Sequence, residues 1–259
     1  MNHKYKKNFH LFRCNVCGKM NYTSLELVTE REKPSCSTCG STLRFRSIIR
    51  TLSVGLFGKS LILNDFPEVG DIFGIGLSEW VGYTRILESK FGFLNTFFHQ
   101  EPFLDITKPP KNMIEIADFL ISSEVFEHIP PPVQAAFDGA YSILKPGGVL
   151  ILTVPFRTDI HETLEHYPDL FEWKIVEQDN KYTLVNITKD NQKQVFNNLC
   201  FHGGPGMTLE MRVFSKLTLQ KHLVNSGFTD IVFCSENEEE TGIIWRGDWS
   251  VPIIARKPS

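Results

Sequence analysis

The sequence predicts an α/β fold, a mostly parallel twisted sheet with helices on both faces, behind a small metal-held N-terminal module. A βαβ unit is the first reason. Residues 117–121 form a short apolar run that breaks into a polar loop. A helical pattern follows (Val133, Phe137, Ala140, Tyr141, Leu144), then a Gly147-Gly148 turn, then a second apolar run over 149–154. The second reason is residues 70–79, which read as a strand entering a Gly-containing turn, with a helix continuing over 80–91. Two CxxC knuckles near the N-terminus are the third.

Taken in order, Cys14-Asn15-Val16-Cys17-Gly18 and Cys36-Ser37-Thr38-Cys39-Gly40 are separated by 18 residues. Two residues between thiolates let both sulfurs reach one ion, and the following Gly permits the tight turn. Four thiolates fill a tetrahedron, so Cys14, Cys17, Cys36 and Cys39 are expected to hold a structural Zn2+. Paired disulfides suit an oxidising compartment instead, and a redox CxxC leaves the second knuckle unexplained. Cys200 and Cys234 lie on apolar runs and are expected in the core. Residues 25–28 read as a short strand of a zinc ribbon, and 44–50 as the start of an amphipathic linking helix. The expected boundaries are 1–43 for the ribbon, 44–60 for the linker and 61–259 for the main domain.

Farther on, residues 94–100 read as the second strand. Residues 174–177, 182–187 and 194–201, separated by turn residues, look like a β insertion within about 156–215. Residues 217–226 read as a helix capped by Gly227, 228–234 as a strand, and 249–256 as a last strand. His161 and His166 stand five apart, which on a helix separates them by about 140°. They therefore do not form the HExxH metal pair.

Charge is unevenly spread: residues 1–60 hold 11 Lys/Arg and 3 Asp/Glu, the remainder 16 and 27. A basic module can meet RNA or another anionic partner, or can simply dock on the acidic domain. No apolar run is long enough to span a bilayer, and no apolar core follows Lys4, Lys6 and Lys7 as in a signal peptide. The cytoplasm is the expected compartment, with no membrane partner.

Gly74 and Gly76 would let a ligand approach the backbone closely. A dinucleotide fold places its third Gly where Glu79 stands, and a carboxylate there repels pyrophosphate. Acids also gather at Glu101, Asp105, Glu124 and Glu127, which suits a cationic cofactor. The run Glu127-His128-Ile129-Pro130 followed by Leu144-Lys145-Pro146-Gly147-Gly148 resembles the class I S-adenosylmethionine-dependent methyltransferases. The strings at residues 74–80, 99–107 and 201–215 resemble a bacterial methyltransferase-like subset across nearly the whole chain. Ribosomal-RNA methyltransferases with an N-terminal zinc module share the architecture.

The resemblance implies a Rossmann-like methyltransferase sheet with an antiparallel last strand, S-adenosylmethionine as cofactor, and methyl transfer by in-line displacement. The acceptor is unidentified: a small molecule, a sugar or RNA. It implies cofactor contacts at Gly74, Ile75, Gly76, Glu101, Asp105, Ile106, Ser123 and Glu124. The motif's usual acidic position falls on Ile72 and its last Gly on Ser78, where Asp71 or Glu79 can substitute. Glu101 and Asp105 equally suit turn caps, and only three residues separate them, too few for the usual helix. His202, His161 and His128 are the candidate bases, each also able to serve as a structural histidine. The other reading is a non-catalytic zinc-ribbon adaptor or nucleic-acid-binding protein with a degenerate methyltransferase fold.

Overall fold

The computed structural model describes residues 8–179 and 181–259. Lys4, Lys6 and Lys7 of the basic start, and Asn180 of an expected turn, lie outside them. Strands β1 (Phe9–Arg13) and β2 (Met20–Ser24) pair antiparallel around the first knuckle. Gly18 and Gly40, one after each CxxC, have φ of +74° and +76°, values that only Gly adopts without strain. Residues 25–28 were expected as a strand but form a helical turn, α1 (Leu25–Val28). Ser24 Oγ accepts from the Leu27 N–H at 3.2 Å and caps it.

Helix α2 (Leu43–Phe57) starts on a Thr42 cap and ends on left-handed Gly58. Strand β3 (Phe73–Leu77), helix α3 (Val81–Lys90) and β4 (Gly92–Thr96) follow. Next come β5 (Ala117–Ser123), α4 (Gln134–Ile143) and β6 (Leu144–Thr153). Two short strands, β7 (Phe156–Arg157) and β8 (Leu164–Glu165), lead into the insertion. The insertion is an antiparallel meander of β9 (Glu172–Gln178), β10 (Lys181–Ile187) and β11 (Lys193–Phe196). After it come the hairpin β12 (Phe201–His202) and β13 (Thr208–Leu209), and β14 (Arg212–Ser215), which pairs with β7 and β8. The chain closes with α5 (Lys216–Ser226), β15 (Thr229–Phe233) and β16 (Ile253–Arg256).

The main sheet runs β15-β16-β6-β5-β3-β4. Strands β3 to β6 are parallel and β16 is antiparallel to β6, the Rossmann-like methyltransferase arrangement expected. α2 and α3 bury Ile48, Leu52 and Leu87 against one face; α4 and α5 bury Phe137, Leu219 and Leu223 against the other. Between β4 and β5 the third strand of a doubly wound sheet is reduced, among the described residues, to one parallel bridge, Phe97 to Phe103. No helix of the described residues is long and apolar enough to cross a membrane.

The glycines of the first strand differ from expectation. Gly74 and Gly76 sit inside β3, not in the turn after it. A Cβ at Gly74 would overlap the Phe119 ring, and one at Gly76 would lie 2.8 Å from Glu79 Cγ. They make room for neighbouring side chains, and the left-handed turn falls on Ser78 (φ 58°).

Candidate functional site

The carboxyl ends of β3, β4, β5 and β6 open into one cleft of about 1990 Å³. Open parallel sheets bind ligands at this edge. The volume is roughly twice the upper range of single-ligand pockets, enough for two molecules side by side. Arg31 and Arg44 wall it from the ribbon side, Trp173 and His202 from the insertion side, and Trp245 and Trp249 from the C-terminal loop.

At the strand ends, Leu77 and Ser78 line the cleft while Gly74, Ile75 and Gly76 lie buried below it. Asp71 lies just before β3, at the other end of that strand. Glu101 does not line the cleft either: its Oε2 accepts from the Phe103 N–H at 3.0 Å, capping its own turn. Phe97, Phe98 and His99 occupy the cleft beyond β4 instead. Asp105 and Ile106 do line it. Asp105 Oδ1 accepts from Thr107 N and Oγ1 at 2.9 and 2.7 Å, which fixes the carboxylate and leaves Oδ2 to meet a donor. Ile106 and Leu104 supply an apolar patch beside it. A carboxylate acceptor next to an apolar surface suits the amino group and flat face of an adenine.

Beyond β5 the chain turns through Glu124 (φ 57°), in the left-handed region. Glu124 Oε1 accepts from Arg31 Nη2 at 2.7 Å. Burial opposes its ionisation, but the Arg31 and Arg44 guanidinia outweigh that and hold its carboxyl below the usual range. Ser123 Oγ accepts from Arg44 and from Thr153 Oγ1 (3.1 Å). Under this edge lies Glu79, buried, accepting from Ser123 N–H at 2.9 Å and from the Tyr83 hydroxyl. Burial pushes its carboxyl up to about 7. Glu79 therefore props the turn and does not face the cleft.

On the insertion side the histidines converge. His128 and His202 stand edge to face, ring centroids 4.8 Å apart, and both line the cleft. His128 Nδ1–H donates to the Leu209 carbonyl at 2.9 Å, so Nε2 keeps its lone pair; burial lowers its affinity for a proton. His202 Nε2 and His166 Nε2 each lie 2.7 Å from an oxygen of Glu210. His161 is exposed and away from the cleft lining; only its carbonyl is used, accepting from Ser215 Oγ. Cys200, expected in the core, is exposed and lies 3.5 Å from Glu210 Oε1. Sequence reasoning placed neither Glu210 nor Arg31 in the site. Arg31 stands between Glu30 and Glu32, which reads as a solvated charge run, and Glu210 is 82 residues from its neighbour His128.

The four knuckle cysteines cluster, each Sγ within 4.8 Å of the others. Cys14–Cys39 and Cys17–Cys36 are 3.8 and 3.7 Å apart. A tetrahedron with Zn–S bonds of about 2.3 Å has edges of roughly 3.8 Å, so the donor set and its spacing fit zinc.

A family model described as a methyltransferase domain matches residues 63–231. Among solved structures the CurJ carbon methyltransferase is similar at 16% identity and a TM-score of 0.48, over 85% of this chain and 56% of that one. The chain thus spans about half the length of that protein. An S-adenosylmethionine-dependent methyltransferase from Clostridium acetobutylicum ATCC 824 is similar at 16% identity, TM-score 0.42, over 76% of this chain and 86% of that one. CalS10, an amino pentose methyltransferase from Micromonospora echinaspora, is similar at 11% identity, TM-score 0.45, over 84% and 92%. No curated protein sequence matches the chain.

Proposed function

The chain belongs to the class I S-adenosylmethionine-dependent methyltransferase family, and from that premise we propose that it transfers a methyl group to a small-molecule or sugar acceptor held in the same cleft as the cofactor. The observation that carries this reading is the cleft itself: one space, large enough for two ligands, lined both by Asp105 and Ile106 and by the His128–His202 pair. When bound, S-adenosylmethionine supplies a methyl group activated by a sulfonium. Asp105 Oδ2 would accept from the adenine amino group, with Ile106 and Leu104 beside its ring, and Ser78 and the Glu124 turn would bound the cofactor from the ends of β3 and β5. Much of the rate comes from holding the nucleophile in line with the methyl carbon. Trp173, Trp245 and Trp249 offer flat faces for a ring, and the wall of His128, His202 and Glu210 receives the acceptor's nucleophilic group and its proton.

RNA is the less favoured acceptor, because the arginines of the ribbon and α2, apart from exposed Arg13, are spent inside the protein. Arg31 pairs with Glu124, Arg44 with Glu32 and Arg50 with Glu238. The four cysteines would hold one zinc ion in a structural role, the fourth thiolate leaving no open position.

Calorimetric titration of zinc-loaded protein with S-adenosylhomocysteine, against NADH as control, tests the reading. Micromolar affinity for the first and none for the second is expected, weakened at least tenfold in Asp105→Ala and unchanged in Glu101→Ala. Binding of neither ligand would sink the enzyme reading and favour a zinc-ribbon adaptor.

A further inference from the structure

Glu127 is a buried carboxylate that nothing in the fold explains. It lies in the 3₁₀ turn Phe126–His128, has no exposed surface, and neither of its oxygens has a hydrogen-bond partner. A buried, unpaired carboxyl group costs several kcal/mol unless something completes it. No arginine or lysine pairs with it among the described residues; ring nitrogens of two histidines lie close by. His128 Nε2 is 3.5 Å from Glu127 Oε1, and Glu127, His128 and His202 each offer one ligand atom within 4.8 Å of the others.

The histidines are also prepared as ligands prepare. A metal-bound imidazole usually gives its second N–H to a carbonyl or carboxylate, which sets the ring and its tautomer. His128 does so to the Leu209 carbonyl, which frees Nε2. His202 Nε2 stands 2.7 Å from a Glu210 oxygen, a charge contact that steadies the ring. Glu210 is in turn held by His166. The neighbouring trio of His166, Cys200 and Glu210 is the weaker candidate, since its carboxylate is already spent on two imidazoles. Ligands about 2.1 Å from an ion sit roughly 3.4 Å apart in a tetrahedron, so the Glu127–His128 edge already has that length, and the His202 ligand atom, within 4.8 Å of both, has to come closer by at most about 1.4 Å.

We propose that Glu127, His128 and His202 bind one divalent first-row transition-metal ion on the acceptor wall of the cleft, apart from the four-cysteine cluster. Two imidazoles and one carboxylate favour such an ion over the all-oxygen ligation of Mg2+ or Ca2+. Three protein ligands leave at least one position for an acceptor oxygen, a role that rests on the methyl-transfer reading; the binding of the ion does not.

The test uses full-length zinc-loaded protein, desalted and titrated with Co2+ alone. Visible ligand-field bands saturating at one equivalent are expected, without the intense thiolate charge-transfer absorption that the cysteine site would add. Affinity should fall at least tenfold in Glu127→Gln and in His202→Ala, and about tenfold in Glu210→Gln, which removes only the group behind a ligand. The His202 side chain is 39% exposed, so its loss leaves the core intact even if the Glu127 variant folds poorly. Absence of the bands, bands with thiolate character, or unchanged affinity in His202→Ala would each overturn the site. A parallel S-adenosylhomocysteine titration separates the two ideas. Cofactor affinity without Co2+ binding removes the metal and spares the methyltransferase; Co2+ binding without cofactor affinity does the reverse.

Discussion

Glu79 and Glu124 lie side by side at the end of the first crossover and titrate in opposite directions. Glu79 is buried and Glu124 half-buried; Glu124 has the Arg31 guanidinium at 2.7 Å, whereas the hydrogen bonds to Glu79 come from neutral donors, Tyr83 and Ser123 N–H. Desolvation wins at Glu79 and raises its carboxyl from 4.5 to about 7. The folded state therefore keeps a proton that the unfolded chain has already released. Stability from this group is full below pH 4.5, declines as pH rises toward 7, and stays lost above that. Glu79→Gln carries no titratable proton, so its stability relative to the native protein should improve across that window by about 2 to 3 kcal/mol. Urea unfolding at a series of pH values checks this, and parallel curves for the two proteins would refute it. The sequence showed Glu79 beside a helix start and Tyr83 four residues on, but not their burial. That depends on the space left by Gly76, on β3 itself, and on Asn95, which the neighbouring strand β4 brings alongside. Gly74 poses the same difficulty: a glycine that approaches a ligand and a glycine that clears a Phe ring look alike until the ring is placed.

At the scale of elements, the ribbon reaches the cleft through two arginines. Arg31, between the knuckles, holds Glu124, and Arg44, on the first turn of α2, donates to Ser123. Both belong to the backbone around the four-cysteine cluster, and Arg44 N–H donates to the Arg31 carbonyl at 3.2 Å. Zinc binding and folding of such a module are one equilibrium. Cys39→Ser should therefore lose the ion and weaken S-adenosylhomocysteine at least tenfold, while Lys19→Ala, an exposed ribbon side chain outside the cleft lining, should leave the affinity alone. Calorimetry on both proteins, with zinc content measured, decides; full affinity in the zinc-free variant would uncouple ribbon and cleft. The knuckles were legible because thiolate spacing and Gly chemistry are local. The turn at Leu25–Val28 was not, because four apolar residues fit either a strand or a helix and only the Ser24 cap selects one.

Across the whole molecule the charge asymmetry has an internal outlet. The ribbon and α2 carry the basic excess and the rest of the chain the acidic one, and the two meet directly. Arg50 reaches Glu238 at 2.8 Å, Arg31 reaches Glu124, and Arg46, fully buried, donates to the Gly242 carbonyl at 2.9 Å. Those cations cannot also line an RNA groove without breaking the interface. A groove that neutralises six to ten phosphates loses about a thousandfold or more in affinity between 50 and 200 mM salt. Of the described ribbon and α2 segment, Arg13, Lys19 and Lys59 remain exposed and outside ion pairs, so a labelled single-stranded RNA should bind weakly at low salt, with a slope of log K against log salt of about −2 or shallower. A chain beginning at Asn8 isolates what Lys4, Lys6 and Lys7 contribute. A steep slope that survives this truncation would mean a phosphate-tracking surface elsewhere on the protein, and would restore RNA as the acceptor. A shallow slope leaves the cleft to a small acceptor, whose recognition then rests on the tryptophans and the histidine wall and not on the basic module.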